Sequence, residues 1–77
     1  MFIQIEDDIV EILNDDVLFI VLLENEERGD NDLSSIYLMT RNGEKIFGKM
    51  STHSLYIHSK FLINKEKWEY IKCNINL

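Results

Sequence analysis

The segment Ser34–Met50 constrains the chain most. Two runs of alternating apolar character, SSIYLMT and EKIFGKM, flank Arg41-Asn42-Gly43, and Asn-Gly is the preferred pair for a two-residue type I′ hairpin turn. The alternation sets Ile36, Leu38 and Thr40 on one face and Tyr37, Met39 and Arg41 on the other, with Ile46 and Gly48 opposed to Phe47 and Lys49. A glycine inside such a run marks a bulge or a close backbone approach, so Gly48 is expected at one of these.

Around this hairpin the other segments are also short and β-favouring. Phe2–Glu6 alternates Phe2, Gln4 and Glu6 against Ile3 and Ile5, as a strand does. Val17–Leu23, VLFIVLL, is apolar on both faces and too short for a typical helix, so it reads as a central strand. Between them, Asp7–Asn14 stays open. Ile9, Ile12, Leu13 and Asp16 fit a helix face, whereas Val10 and Ile12 fit a strand. Ser54–Ile63 also fits both, and its aromatics and isoleucines favour the strand; in the helical alternative Thr52 or Ser54 is the cap. Asn64–Lys67 is expected to turn, and Trp68–Ile75 to form a last strand. The expected fold is mainly β to α+β: one domain over residues 1–77, a twisted antiparallel sheet or barrel of five to seven short strands, with at most one or two short helices. Phe19, Ile20, Trp68 and Tyr70 are expected to hold it.

A chain of 77 residues sits near the lower limit for a single core. One cysteine, Cys73, leaves no internal disulfide and favours a reducing compartment. The start, MFIQIEDD, lacks the basic region of a signal peptide, and no apolar run approaches membrane-spanning length. These features imply a cytoplasmic protein that is not inserted in a membrane.

The net charge of −6 is unevenly distributed. Residues 1–32 hold eleven acids and one base, a balance of −10, and residues 33–77 hold three acids and seven bases, a balance of +4. The densest stretch, Glu24–Asp32 (ENEERGDND), follows VLFIVLL directly and is expected to form an acidic loop.

Chemistry-bearing patterns are sparse. Asp30-Asn31-Asp32 resembles the start of an EF-hand loop, but Ser35 and Arg41 stand where the loop needs Gly and Glu. His53, His58 and Cys73 are the sole zinc candidates, and a separation of five does not stack two histidines on one helix face. Cys73 lies on an expected inward face, where a free thiol behaves as a small hydrophobe. No glycine-rich phosphate loop is present. The chain is therefore expected to be no enzyme, with no metal and no cofactor. Arg41, Lys45, Lys49, Lys60, Lys65, Lys67 and Lys72 interleave with aromatics, as on single-strand-binding surfaces, yet the −10 half opposes phosphate, and no direct nucleic-acid contact is expected.

Carboxylates two residues apart on extended chain recur about every 6.6 Å, close to the spacing of phosphates along a DNA strand. The acidic set Asp7, Asp8, Asp15, Asp16, Glu24, Glu26, Glu27, Asp30 and Asp32 is thus a candidate partner-binding surface that would occupy a basic groove made for nucleic acid. A small inhibitor of the phage type, of which anti-CRISPR and anti-restriction factors are examples, is the class expected. The charge division also permits a homodimer in which the acidic half meets the basic one.

MFIQIEDDIV at the start, the hairpin SIYLMTRNGEKIFGKM, and SLYIHSKFL together resemble LytTR-type DNA-binding domains and the small extracellular-matrix regulators of low-GC bacteria. The likeness spans about half the chain. It implies a short helix at SLYIHSKFL and, as the alternative function, a DNA-binding transcriptional regulator. The phosphate-binding end is basic in those families, whereas HSLYIHSK offers one lysine and two histidines, and the acidic insertion has no counterpart.

Overall fold

The computed structural model describes residues 1–28 and 31–63, and for 24–28, 31 and 32 the backbone alone. The expected turn at Asn64–Lys67 and strand at Trp68–Ile75, with Trp68, Tyr70 and Cys73, lie outside the described residues. Among the described residues five strands form one sheet: β1 (Phe2–Ile5), β2 (Asp8–Glu11), β3 (Val17–Arg28), β4 (Asn31–Thr40) and β5 (Lys45–Ser51). Their spatial order is β2-β1-β5-β4-β3, every neighbouring pair antiparallel. This is the expected mainly β domain, with one short helix, α1 (Thr52–Ile57).

Two hairpin units meet in this order. β1 and β2 pair from Phe2↔Glu11 to Ile5↔Asp8, their turn made by Glu6, at a left-handed φ of 56°, and Asp7. The meander β3–β4–β5 is the second unit, and Gln4↔Lys49 joins the two. Asp7–Asn14 therefore resolves as turn and strand, then a 3-10 turn at Asn14–Asp16 that leads into β3. The backbone nitrogen of Met1 donates to the Ile12 carbonyl (2.6 Å) and to Asn14 Oδ1 (3.0 Å), fixing that return.

The core lies on one side of the sheet. Ile36 and Leu38 are fully buried and Thr40 nearly so, as the alternation in β4 requires. Ile3, Val17, Ile20, Leu22 and Met50 join them, with Leu55 of α1 and Leu62 closing the cluster. Ile20 anchors the fold as expected, whereas Phe19 packs half-buried on the other side against Tyr37.

Four local expectations are corrected. Among the described residues VLFIVLL is the last strand in the sheet order rather than a central one. It is apolar on both faces because Ile20 and Leu22 fill the core while Phe19 and Val21 pack on the opposite side; in addition, Leu62 bridges to Ile20 and Ile63 donates to the Ile20 carbonyl (3.2 Å) on the side of the strand away from β4. The acidic stretch is not a loop. Glu24↔Ser35, Glu26↔Leu33, Glu27↔Asp32 and Arg28↔Asn31 continue the β3–β4 ladder beyond a register shift at Leu22/Glu24. Main-chain pairing extends the hairpin past its apolar part, something residue-type statistics do not register.

The turn after β4 has three residues, Arg41-Asn42-Gly43, with Thr40 N donating to the Glu44 carbonyl (2.9 Å) and Gly43 N to the Thr40 carbonyl (3.1 Å). A type I′ turn needs positive φ at both central residues, but here Gly43 alone has it (89°). The Thr40 hydroxyl stabilises the wider turn by donating to Asn42 Oδ1 and accepting from Glu44 N (2.9 Å).

Ser54–Ile63 is not a strand. It belongs to α1 and a 3-10 turn at Ser59–Phe61. The cap is Ser51, whose Oγ accepts from Ser54 N (3.1 Å), rather than Thr52 or Ser54. Helical spacing wins here because it sends Leu55 into the core and leaves Tyr56 and Ile57 outward. Gly48 does mark a close approach: a Cβ there would lie 2.6 Å from the Gln4 carbonyl oxygen.

Candidate functional site: the acidic segments

The candidate carboxylates fall into three groups along the sheet. Asp7 and Asp8 stand exposed at the β1–β2 turn. Asp15 and Asp16 stand exposed in the 3-10 turn that precedes β3. Glu24, Glu26, Glu27 and Asp32 have their backbone on the distal β3–β4 ladder, while Asp30 lies outside the described residues.

Backbone geometry sets how far apart these groups are. In sheet order β2 and β3 are the first and last of the described strands. From Val17 to Glu24 the chain runs seven residues, about 23 Å at strand rise. The structure thus brings Asp7 beside Asp8 and Asp15 beside Asp16, and strings Glu24, Glu26 and Glu27 along one strand. The first pair adjoins the start of that row: Glu6, next to Asp7, and Leu23, next to Glu24, line the same hollow. Within the strand, the backbones of Glu24 and Glu26 are two residues apart, about 6.6 Å at strand rise.

The Asp15-Asp16 turn is held by one basic residue. Arg41 Nε donates to the Asp15 carbonyl (2.8 Å), and the Arg41 amide donates to the Asp16 carbonyl (2.9 Å). Both bonds are to main-chain oxygens, so they fix the turn while the two side chains remain at the surface. Glu11, Asp16, Arg41 and Glu44 line a shallow open cleft between this turn and the β4–β5 turn. Three carboxylates against one guanidinium make it an anionic hollow, suited to a cationic side chain and hostile to phosphate.

One histidine lies in the first turn of α1 and another follows its end. His53 is exposed. His58 caps the helix C-terminus, half-buried, with its ring 6.4 Å from that of Phe61. Burial, reinforced by the positive charges of the Met1 amino group and Lys60, holds its pKa below the usual 6.5. Among the described residues, no group of three or more His, Cys, Asp or Glu side chains is placed to hold a metal ion. Among them also, no helix is long and apolar enough to cross a membrane.

Sequence reasoning missed the open side of the sheet. Phe2, Leu23 and Phe47 stand on the face opposite the core, 59%, 42% and 60% exposed. The period-two pattern placed Phe47 opposite Ile46, but could not show that no described element covers it.

No family model matches this sequence, and comparison with curated proteins and with solved structures finds no match.

Proposed function

We propose that this chain is a non-enzymatic, protein-binding inhibitor of the phage type, comparable in role to anti-CRISPR or anti-restriction factors. It docks its acidic segments on a basic, nucleic-acid-binding surface of a target protein. One observation carries this reading: Glu24, Glu26 and Glu27 belong to a strand whose backbone is fixed by pairing with β4. A carboxylate row on a paired strand loses less ordering entropy on docking than one on a free loop. Asp15 and Asp16, held by Arg41, offer a second anionic element at the other end of β3. Long-range attraction between this charge and a cationic groove would speed association and make it salt-dependent. A reducing, cytoplasmic setting suits a chain with one cysteine.

The test is competition. The protein added to its captured target should displace DNA or RNA from it, and displacement should weaken as salt rises. A target that binds the protein and nucleic acid together, without mutual loss of affinity, would overturn the reading.

A second reading is favoured by one observation. The short helix α1 overlaps the segment SLYIHSKFL, where LytTR-like and matrix-regulator-like domains are expected to have one. A DNA-binding regulator should retard duplex DNA in a gel at low salt, whereas the inhibitor should not.

A further inference from the structure

The turn between β4 and β5 carries a chemistry that the acidic segments do not use. Asn42 is the one asparagine of the chain followed by glycine. In such a pair the glycine amide nitrogen can attack the asparagine side-chain carbonyl and close a five-membered imide, because glycine sets no side chain in the way. Both residues are exposed, and among the described residues nothing lies within 4 Å of where a Cβ on Gly43 would stand. The closed turn occupies both reacting groups. Gly43 N donates to the Thr40 carbonyl (3.1 Å). The Asn42 side chain accepts from the Thr40 hydroxyl at Oδ1 and donates from Nδ2 to Glu44 Oε1 (3.3 Å).

We propose that Asn42 is a deamidation site, gated by local opening of the Thr40–Glu44 turn. The modification does not depend on the docking reading. Opening breaks these three bonds at an exposed loop tip and leaves the β4–β5 ladder, which begins at Met39↔Lys45, in place. The deprotonated Gly43 nitrogen then attacks Asn42 Cγ. The N–Cγ bond forms, the Cγ–Nδ2 bond breaks, and ammonia leaves with the proton that the Gly43 amide gave up. Water next cleaves one of the two carbonyl–nitrogen bonds of the imide, giving aspartate or isoaspartate at position 42. One water enters for each ammonia lost, and nothing is oxidised or reduced. Either product adds a negative charge to the net −6 and sets a fourth carboxylate in the hollow lined by Glu11, Asp16 and Glu44. The amide donor to Glu44 is lost, so two like charges meet where a hydrogen bond stood. Isoaspartate also lengthens the main chain by one carbon next to Arg41. Because Arg41 binds the Asp15 and Asp16 carbonyls, modification at position 42 loosens the turn that presents those two carboxylates.

Intact-mass and peptide-mapping spectrometry of the full-length chain, folded and in urea, at several pH values tests this. The folded wild type should show the amide-to-acid mass gain at Asn42 before any other asparagine, at a rate that rises with pH as the Gly43 amide deprotonates. The same chain unfolded in urea should react at least tenfold faster, because no turn holds it. Thr40→Val and Glu44→Ala each remove a bond to the Asn42 side chain and should speed the folded protein several-fold. Thr40→Ser keeps the hydroxyl and should keep the wild-type rate. Glu44 is exposed, so its variant reports even if Thr40→Val, at a buried position, fails to fold. A folded wild type that stays intact at Asn42, or that reacts first at another asparagine, overturns the proposal. Equal rates in the folded and unfolded chains overturn it as well, as does a wild-type rate in Glu44→Ala.

Discussion

The carbonyl oxygen of Gln4 occupies the space a side chain on Gly48 would fill: a Cβ built there lies 2.6 Å from that oxygen and 2.8 Å from Ile3 Cγ1. This contact lies at the seam where the β1–β2 unit meets the meander, and among the described residues the register pair across that seam is Gln4↔Lys49. The backbone itself blocks the space, so no flexible side chain can move aside. Gly48→Ala should therefore open the seam and destabilise the fold by about 1–3 kcal/mol, the range for overpacking in a tight site. Urea unfolding of both proteins would measure the difference; a change under about 0.5 kcal/mol would show that the seam yields without cost.

Helix α1 has six residues and cannot persist by propensity alone. It depends on Leu55 in the core and on the Ser51 cap. Ser51→Ala, at an exposed position, should cost about 1 kcal/mol through loss of the bond to Ser54 N. Ser51→Asp should restore it, because a carboxylate caps equally well and complements the helix dipole. Equal midpoints for all three proteins would remove the cap from the account.

His58 has a folded-state pKa below its ordinary 6.5, chiefly from burial. The unfolded chain therefore takes up its proton first as pH falls. The contribution of neutral His58 is full above about pH 6.5 and declines as pH drops from there toward the lower folded value. The difference in stability between wild type and His58→Gln should follow that slope, with the variant losing less on acidification. Comparing the two cancels the titration of the many carboxylates. A difference that stays constant between pH 7.5 and 5 would contradict the burial effect.

Reversing Glu26 and Glu27 to lysine should abolish competition with nucleic acid on the target. Thermal stability should change little, because both positions lie on the distal ladder, beyond the register shift that follows the core residue Leu22. Unimpaired competition would place the contact elsewhere.

Strand identity was legible wherever side-chain alternation coincides with one-sided burial. In β4 the expected set Ile36, Leu38 and Thr40 is the buried set, because a pleated strand sends alternate side chains to opposite faces. The Gly48 contact was legible for a related reason: a missing side chain in a strand has few causes. Two segments read wrongly are those where local pattern and distant partner disagree. Ser54–Ile63 has strand-favouring residues but turns helical, since Leu55 reaches the core only from that conformation. Glu24–Arg28 has loop-like composition but pairs with Asn31–Ser35, since main-chain hydrogen bonds do not depend on side-chain type.

The amino-acid sequence by itself determined the charge division, the β-rich class and the inward face of the central hairpin, because each follows from residue type and a period of two. Strand order, the placement of the acidic groups and, among the described residues, the exposed aromatic face were decided by the tertiary structure. These depend on which strands meet at β1 and β5 and on which side α1 covers, contacts between residues far apart in the chain that no local pattern encodes.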